Sequence, residues 1–125
     1  MGLIDLHHVA IRTDDVAATN RFYIDVLGMR EVERPPMNFP GSWLAIGQTM
    51  IHVMGGARGR VADPQGGAVD HIALRAHGIE AFKRRFDSHG VAYRESSIAG
   101  AGLRQLFLRD PNGVLVELNF SVSDD

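Results

Sequence analysis

The sequence predicts an α+β fold built from two βαβββ modules, and an internal repeat is the main reason. Residues 7–13, HHVAIRT, and residues 69–75, VDHIALR, each place a histidine before an apolar run with strand-like alternation. A helical pattern follows each run and ends at a glycine, a residue typical of helix C-termini. His8 and His71 are 63 positions apart, and so are Val16 and Ile79, which open the two helical patterns. A spacing kept over two elements indicates a duplicated unit.

Composition bounds the class of protein. The chain has 125 residues, of which 45% are hydrophobic and 22% charged, as expected for one compact globular domain. Cysteine is absent, which excludes disulfides, thiolate metal ligands and a cysteine nucleophile. The net charge of −2 favours neither nucleic acid nor an anionic membrane as a partner. No apolar run is long enough to span a bilayer and no signal-peptide pattern is present, so we expect a cytoplasmic protein.

The first module, about residues 4–55, begins with a strand over 4–12. Asp14 and Asp15 are candidate N-caps for the helix that follows, whose apolar stripe ends at Gly28. A strand is predicted over 29–34, and the proline-rich loop after it precedes a hairpin formed by WLAIG and MIHVM.

The second module, about residues 68–122, repeats this order. It has a strand over 69–75, a helix within 78–90 and a strand over 91–96. The turn-forming residues 110–113, DPNG, then join two further strands in a hairpin. Residues 55–67, rich in glycine and polar residues, are predicted to be a linker or a lid over a cleft.

Strand alternation brings four candidate metal ligands to equivalent faces of the two modules. His8 leads the first strand of one module and His71 that of the other, while His52 and Glu117 lie in the two last strands. If the modules are related by a pseudo-two-fold axis, these four side chains converge. Imidazole nitrogens with one carboxylate suit zinc, nickel, cobalt, manganese or iron(II).

The pieces LHHVAIRTDDVAATNRFYIDVLGM, DHIALR and RDPNGVLVEL resemble the vicinal oxygen chelate superfamily, which includes glyoxalase I, bleomycin-binding proteins and extradiol dioxygenases. The resemblance covers nearly the whole chain. It implies a single glyoxalase-like domain, residues 1–125, in which paired βαβββ modules form a curved mixed sheet around a divalent metal. It implies His8, His71 and Glu117 as metal ligands, and a homodimer, because the family often builds its cleft across two subunits.

The fourth candidate ligand position departs from the family pattern, because His52 stands where glyoxalase I has a glutamate. Three interpretations stay open: His52 is a fourth ligand, a neutral imidazole that acts as a base, or a neighbour that hydrogen-bonds the substrate. A histidine that merely packs in a methionine-rich pocket is the structural alternative.

Function is predicted at the level of the reaction class. The resemblance implies a metal-dependent lyase or isomerase of glyoxalase I type, which acts on a small substrate with two neighbouring oxygens through an enediolate. Glu117 and His52 are the candidate catalytic groups. An iron(II) extradiol-type dioxygenase is the first alternative, although the chain is shorter than the common four-module dioxygenases. A metal-free binding protein of bleomycin type is the second, and the retained ligand set argues against it.

Three arginines are candidates for binding an anionic group of the substrate. Arg12 and Arg75 follow the two first strands at equivalent positions, and Arg104 lies in the penultimate strand. Solvated arginines at strand ends are the structural alternative. Trp43, after the proline-rich loop, either lines the pocket or covers the core.

Overall fold

The computed structural model describes residues 1–56 and 68–122. The chain divides into two compact units, Met1–Val61 and Ala62–Asp125. Each unit contains one βαβββ module with its own four-stranded mixed sheet, which confirms the predicted fold class. The predicted linker 55–67 lies outside the described residues except for Gly55 and Gly56.

The first module consists of one helix and four strands. A π-helical turn at Phe22–Val26 continues the helix. The strand order is β1-β4-β3-β2, and β1 and β4 are parallel whereas the other pairs are antiparallel. The elements are β1 (His8–Arg12), α1 (Val16–Arg21), β2 (Arg30–Val32), β3 (Gly41–Ile46) and β4 (Thr49–Met54).

The second module repeats this topology with the order β5-β8-β7-β6, in which β5 and β8 are parallel. A short 3-10 turn at Ala99–Ala101 precedes β7. The elements are β5 (Ile72–Ala76), α2 (Ile79–Ser88), β6 (Arg94–Ile98), β7 (Leu103–Arg109) and β8 (Leu115–Ser121).

The first strand is shorter than the alternation over residues 4–12 predicts. It begins at His8, and the apolar side chains of Leu3, Ile4 and Leu6 are exposed. The physical reason is the partner strand, because β4 begins only at Thr49, next to the turn after β3. The His7 carbonyl still accepts a hydrogen bond from the Met50 N–H at 3.0 Å, but residues before His7 extend past the start of β4 and have no strand there to complete a ladder.

Local signals position the helices as the sequence predicts. The Asp15 carboxylate accepts a hydrogen bond from the Ala18 N–H at 2.9 Å and caps α1. Asn20, a polar interruption of the apolar stripe, accepts a hydrogen bond from the hydroxyl of Ser42 at 2.5 Å. Gly28 ends the helical segment with φ of 86°, a conformation that favours glycine.

Each sheet has one buried and one open face. In β4, Ile51 and Val53 are buried, while Met50, His52 and Met54 alternate to the other face and are half-buried. In the second module, Phe82 of α2 packs edge-on against Phe120 of β8, with ring centroids 5.8 Å apart. The candidate site residues of β4 thus lie on the face opposite the core.

The hairpin between β7 and β8 forms at the predicted DPNG turn. The buried Asp110 carboxylate accepts hydrogen bonds from the N–H groups of Asn112 and Val114, both at 2.8 Å. Gly113 has φ of 85°. This turn sets the register that places Glu117 in the middle of β8.

Gly41→Ala tests the packing between β3 and β4. A Cβ atom at position 41 overlaps the carbonyl oxygen of Val53, so one of the two strands must shift. We expect the free energy of unfolding to fall by about 1–3 kcal/mol, as for other overpacked sites. The matched control is Gly100→Ala, because nothing lies within 4 Å of that Cβ. Equal urea midpoints for the two variants contradict the packing argument.

Candidate metal and substrate site

The histidine cluster of the first module is a stack of aromatic rings. Ala10 of β1 lies opposite His52 of β4, which brings the His8 ring onto one face of His52. The centroids are 3.8 Å apart and the planes differ by 11°. Trp43, opposite His52 in β3, stacks at 4.3 Å with an interplanar angle of 3°. Because β4 lies between β1 and β3, His52 is held between the two rings.

His7 joins this cluster, which the sequence analysis did not expect. Strict alternation predicts opposite faces for His7 and His8, but β1 begins only at His8. The two Nδ1 atoms are 2.9 Å apart, a hydrogen bond in which one ring donates and the other accepts. The His7 ring also lies edge-on to His52, with centroids 6.5 Å apart.

The environment of His52 favours its neutral form. Burial lowers its pKa below the ordinary value of 6.5, and His8, His7 and Arg34 lower it further in that order by charge repulsion. The Nε2 atom of His52 is buried and has no hydrogen-bond partner among the described residues. A buried nitrogen in this state is available to a metal, a proton or a substrate atom.

The second module joins His71 and Glu117 across its two parallel strands. Glu117 lies opposite Ala73 in the β5–β8 register, and its side chain is buried, with the residue 6% exposed. His71 Nε2 is 3.3 Å from Glu117 Oε1. Asn119 Nδ2 donates to the second carboxylate oxygen at 2.9 Å. The carboxylate is thus oriented towards the imidazole.

A second carboxylate contacts the other ring nitrogen of His71 and orients the ring. The Nδ1 atom of His71 is 2.8 Å from Asp70 Oδ2. When Nδ1–H donates to Asp70, a neutral ring presents the lone pair of Nε2 to Glu117. A lone pair facing a carboxylate oxygen requires a proton or a cation between them. A carboxylate behind the imidazole is also the usual second contact of a metal-bound histidine.

His52 and Glu117 occupy equivalent places in the two modules. Each lies opposite the alanine two positions after the candidate histidine of the first strand, Ala10 or Ala73. The duplicated topology therefore presents an imidazole in one module and a carboxylate in the other.

The two halves differ in how well they fit a divalent metal ion. His71 Nε2 and Glu117 Oε1 are close enough to bind one cation together. His8 and His52 are stacked face to face, and two parallel rings cannot both direct their in-plane lone pairs at the same ion. In this arrangement at most one of the two rings could bind a given ion. Within either unit alone, the described residues contain no group of three His, Asp or Glu arranged for a metal.

The three arginine candidates separate by face. Arg12 is exposed on the same face of the first sheet as His8, and Arg75 is exposed on the Glu117 face of the second. Arg104 lies opposite Phe120 and therefore on the helix side of its sheet. It donates to Glu95 at 2.7 Å, and its binding of an anionic substrate group stays a prediction.

Sequence reasoning missed a pocket of about 170 Å³ beside the histidine stack. Trp43, for which two roles were open, lines it. The composition of the proline-rich loop contained no signal that Arg34 and Phe39 face this pocket, because only the path of the loop decides it. The residues that line the pocket include His8, Arg34, Phe39, Trp43, His52 and Met54.

Comparison with known proteins identifies the family. Residues 5–118 match the Glyoxalase/Bleomycin resistance protein/Dioxygenase superfamily, and the chain belongs to it. The relative named Glyoxylase I 4 from Arabidopsis thaliana is 27% identical over 94% of this chain and 71% of its own length.

Solved structures share the fold. A glyoxalase family protein from Bacillus anthracis has a TM-score of 0.79 at 21% identity, covering 97% of this chain and 98% of its own. Lactoylglutathione lyase from Agrobacterium tumefaciens has a TM-score of 0.69 at 21% identity, with coverages of 93% and 92%. Over residues 1–56 and 68–122, no helix has the length and apolarity needed to cross a membrane.

The lowered pKa of His52 predicts a pH dependence of stability. Above pH 6.5 the residue is neutral in the folded and the unfolded chain. Below pH 6.5 the unfolded chain binds a proton more readily, so stability is lost as the pH falls towards the folded pKa. Urea unfolding at pH 7.5 and 5.5 with a chelator present measures this loss. We expect His52→Gln to reduce it, whereas His77→Gln, an exposed control, keeps the wild-type difference. An equal loss of stability between pH 7.5 and 5.5 in all three proteins contradicts the assignment of this pH dependence to His52.

Proposed function

We propose that the protein is a divalent-metal-dependent lyase or isomerase of glyoxalase I type. It acts on a small substrate with two neighbouring oxygens through an enediolate, with His8, His71 and Glu117 as metal ligands and His52 as proton carrier. The proposal includes a homodimer and a cytoplasmic location. Membership of the superfamily and the relative named Glyoxylase I 4 support this reaction class.

The observation that carries the proposal is the convergence of His71 and Glu117, with Asp70 behind the imidazole. The distance of 3.3 Å between Nε2 and Oε1 is stabilising only with a proton or a cation between the two atoms. Burial of Glu117 strengthens this requirement, because a charged carboxylate away from water needs a partner. A divalent cation satisfies both atoms at once.

A bound divalent cation supplies a Lewis acid for the two oxygens of the substrate, which makes the adjacent C–H group acidic. The residues of the chain then move the proton. His52 is suited to receive it because its lowered pKa keeps the imidazole neutral near pH 7.

The contacts of His52 orient it for this task. Trp43 and His8 hold the ring on both faces, and its buried Nε2 has no partner in the described part of the chain. The stacked geometry allows only one of the two rings to bind the ion, and we assign that role to His8 and proton transfer to His52.

Glu117→Gln tests the function directly. The amide keeps the shape of the side chain but removes the charge that holds a cation. We expect the metal content measured by elemental analysis to fall from near one ion per chain to near zero. We also expect turnover of the methylglyoxal–thiol hemithioacetal to fall about a hundredfold or more. The matched control is Glu31→Gln, an exposed position on β2.

The outcomes separate the function classes. Metal-loaded wild-type protein that turns over the hemithioacetal no faster than chelator-treated protein contradicts the proposal. Oxygen uptake with a catechol by iron(II)-loaded protein supports the dioxygenase instead. Wild-type protein that binds no divalent metal at all leaves the metal-free binding protein as the class.

Asp70→Ala tests the carboxylate behind His71. Loss of the partner at Nδ1 lets the ring rotate and lowers its basicity, so we expect metal affinity to fall about 10–100-fold. Competition with a chromophoric chelator measures the affinity. Asp14→Ala, at an exposed position of the β1–α1 turn, is the control. An unchanged affinity in Asp70→Ala shows that the Asp70 contact plays no part in metal binding.

A further inference from the structure

One positively charged residue that lines the pocket beside the histidine stack, Arg34, has no role in the proposed reaction. Arg34 follows β2, is half-buried, and lines the pocket together with His52, Trp43 and Phe39. Most of the wall is apolar or aromatic. A charged group in such a place is costly unless something pairs with it.

Phe39 fixes the position of this guanidinium. Arg34 Nη2 donates to the Phe39 carbonyl oxygen at 2.9 Å, and Arg34 Cζ lies 4.9 Å from the centroid of the Phe39 ring. Gly41 contributes by its lack of a side chain, since a Cβ there lies only 3.1 Å from Nη2. The loop between β2 and β3 thus holds Arg34 against the pocket.

The other donors of Arg34 are available to a ligand. A guanidinium has five N–H donors, and one of them is used by the Phe39 carbonyl. No carboxylate of the described residues forms an ion pair with Arg34, whereas Arg104 of the second module pairs with Glu95 and Glu80. The planar group that matches free guanidinium donors in pairs is a carboxylate.

The size of the pocket limits what accompanies that carboxylate. Its volume of about 170 Å³ is close to that of an engineered apolar cavity of about 150 Å³ that binds benzene. One six-membered ring or a branched chain of similar size therefore fills it. The indole of Trp43 and the ring of Phe39 provide flat apolar walls for such a group.

We propose that this pocket selects the substrate: a small carboxylate whose acid group binds Arg34 and whose ring-sized apolar group packs against Trp43 and Phe39. Arg34 is then a specificity-determining residue. The inference rests on the proposed function, because the same pocket contains His8 and His52. It narrows the substrate class from any small compound with neighbouring oxygens to compact apolar acids.

Ligand binding without turnover tests the inference. Titration calorimetry of the 125-residue chain, as purified and again after chelation, measures the binding of three compounds. They are benzoate, its neutral analogue benzamide, and acetate, which has the charge without the ring. We expect benzoate to bind at least about tenfold more tightly than either of the others. Arg34→Gln is expected to weaken the binding of benzoate about tenfold, the size expected for one charge-assisted pair. The affinity for benzamide is expected to stay unchanged.

Three further variants guard against a folding artefact and against a general effect of net charge. Arg34→Lys keeps the charge but loses the planar fork, so an intermediate loss is expected. Ala10→Leu fills the pocket and is expected to weaken benzoate without affecting acetate. Arg84→Gln removes a positive charge from an exposed position of α2 and is the control for net charge.

The results distinguish the inference from the proposed function. Any one of three results overturns the inference. Wild type and Arg34→Gln bind benzoate equally well, wild type binds benzoate and benzamide equally well, or wild type shows no detectable binding of benzoate. Benzoate binding that depends on Arg34 in a protein without hemithioacetal turnover contradicts only the reaction class. Turnover without Arg34-dependent binding contradicts only the choice of substrate.

Discussion

The parallel pairing of the first and last strands of each module is the constraint on which the site depends. The two strands are far apart in sequence, and the helix and two further strands between them form the crossover that a parallel pair requires. The pairing places His52 opposite Ala10, and Glu117 opposite Ala73. One residue of slip in either register moves these side chains to the core face, where neither an imidazole that needs a partner nor a carboxylate is tolerated.

The duplication then allows the two modules to diverge chemically. At the equivalent position, the first module has an imidazole that burial and neighbouring positive charge keep neutral, and the second has a buried carboxylate held by an amide. Ring stacking in the first module favours a proton carrier, while the polar contacts in the second favour a cation. In the proposed function, the same backbone therefore supports two different tasks, which is how one fold serves many reactions.

The proposed substrate specificity depends on the least regular part of the first module. The loop between β2 and β3 contains three prolines and forms no strand until Gly41. Prolines limit the conformations open to the unfolded loop, so less entropy is lost when it places Arg34 and Phe39 at the pocket. Changes in such a loop alter the wall of the pocket without altering the strands that hold the histidines.

The sequence by itself determined the duplicated topology, the helix ends and the DPNG turn. These follow from periodicity and local backbone preferences, which are written in contiguous residues. It also placed Met50, His52 and Met54 on one face of their strand, because alternation within a strand is local.

Only the tertiary structure decided the start of β1 at His8, the entry of His7 into the ring stack, the face of Arg104 and the presence of Arg34 in the pocket. Each depends on which strand or loop lies beside the residue. The point where a partner strand begins and the path of a loop set by packing leave no trace in the neighbouring sequence. Contacts between distant segments decide these features, which local sequence patterns cannot predict.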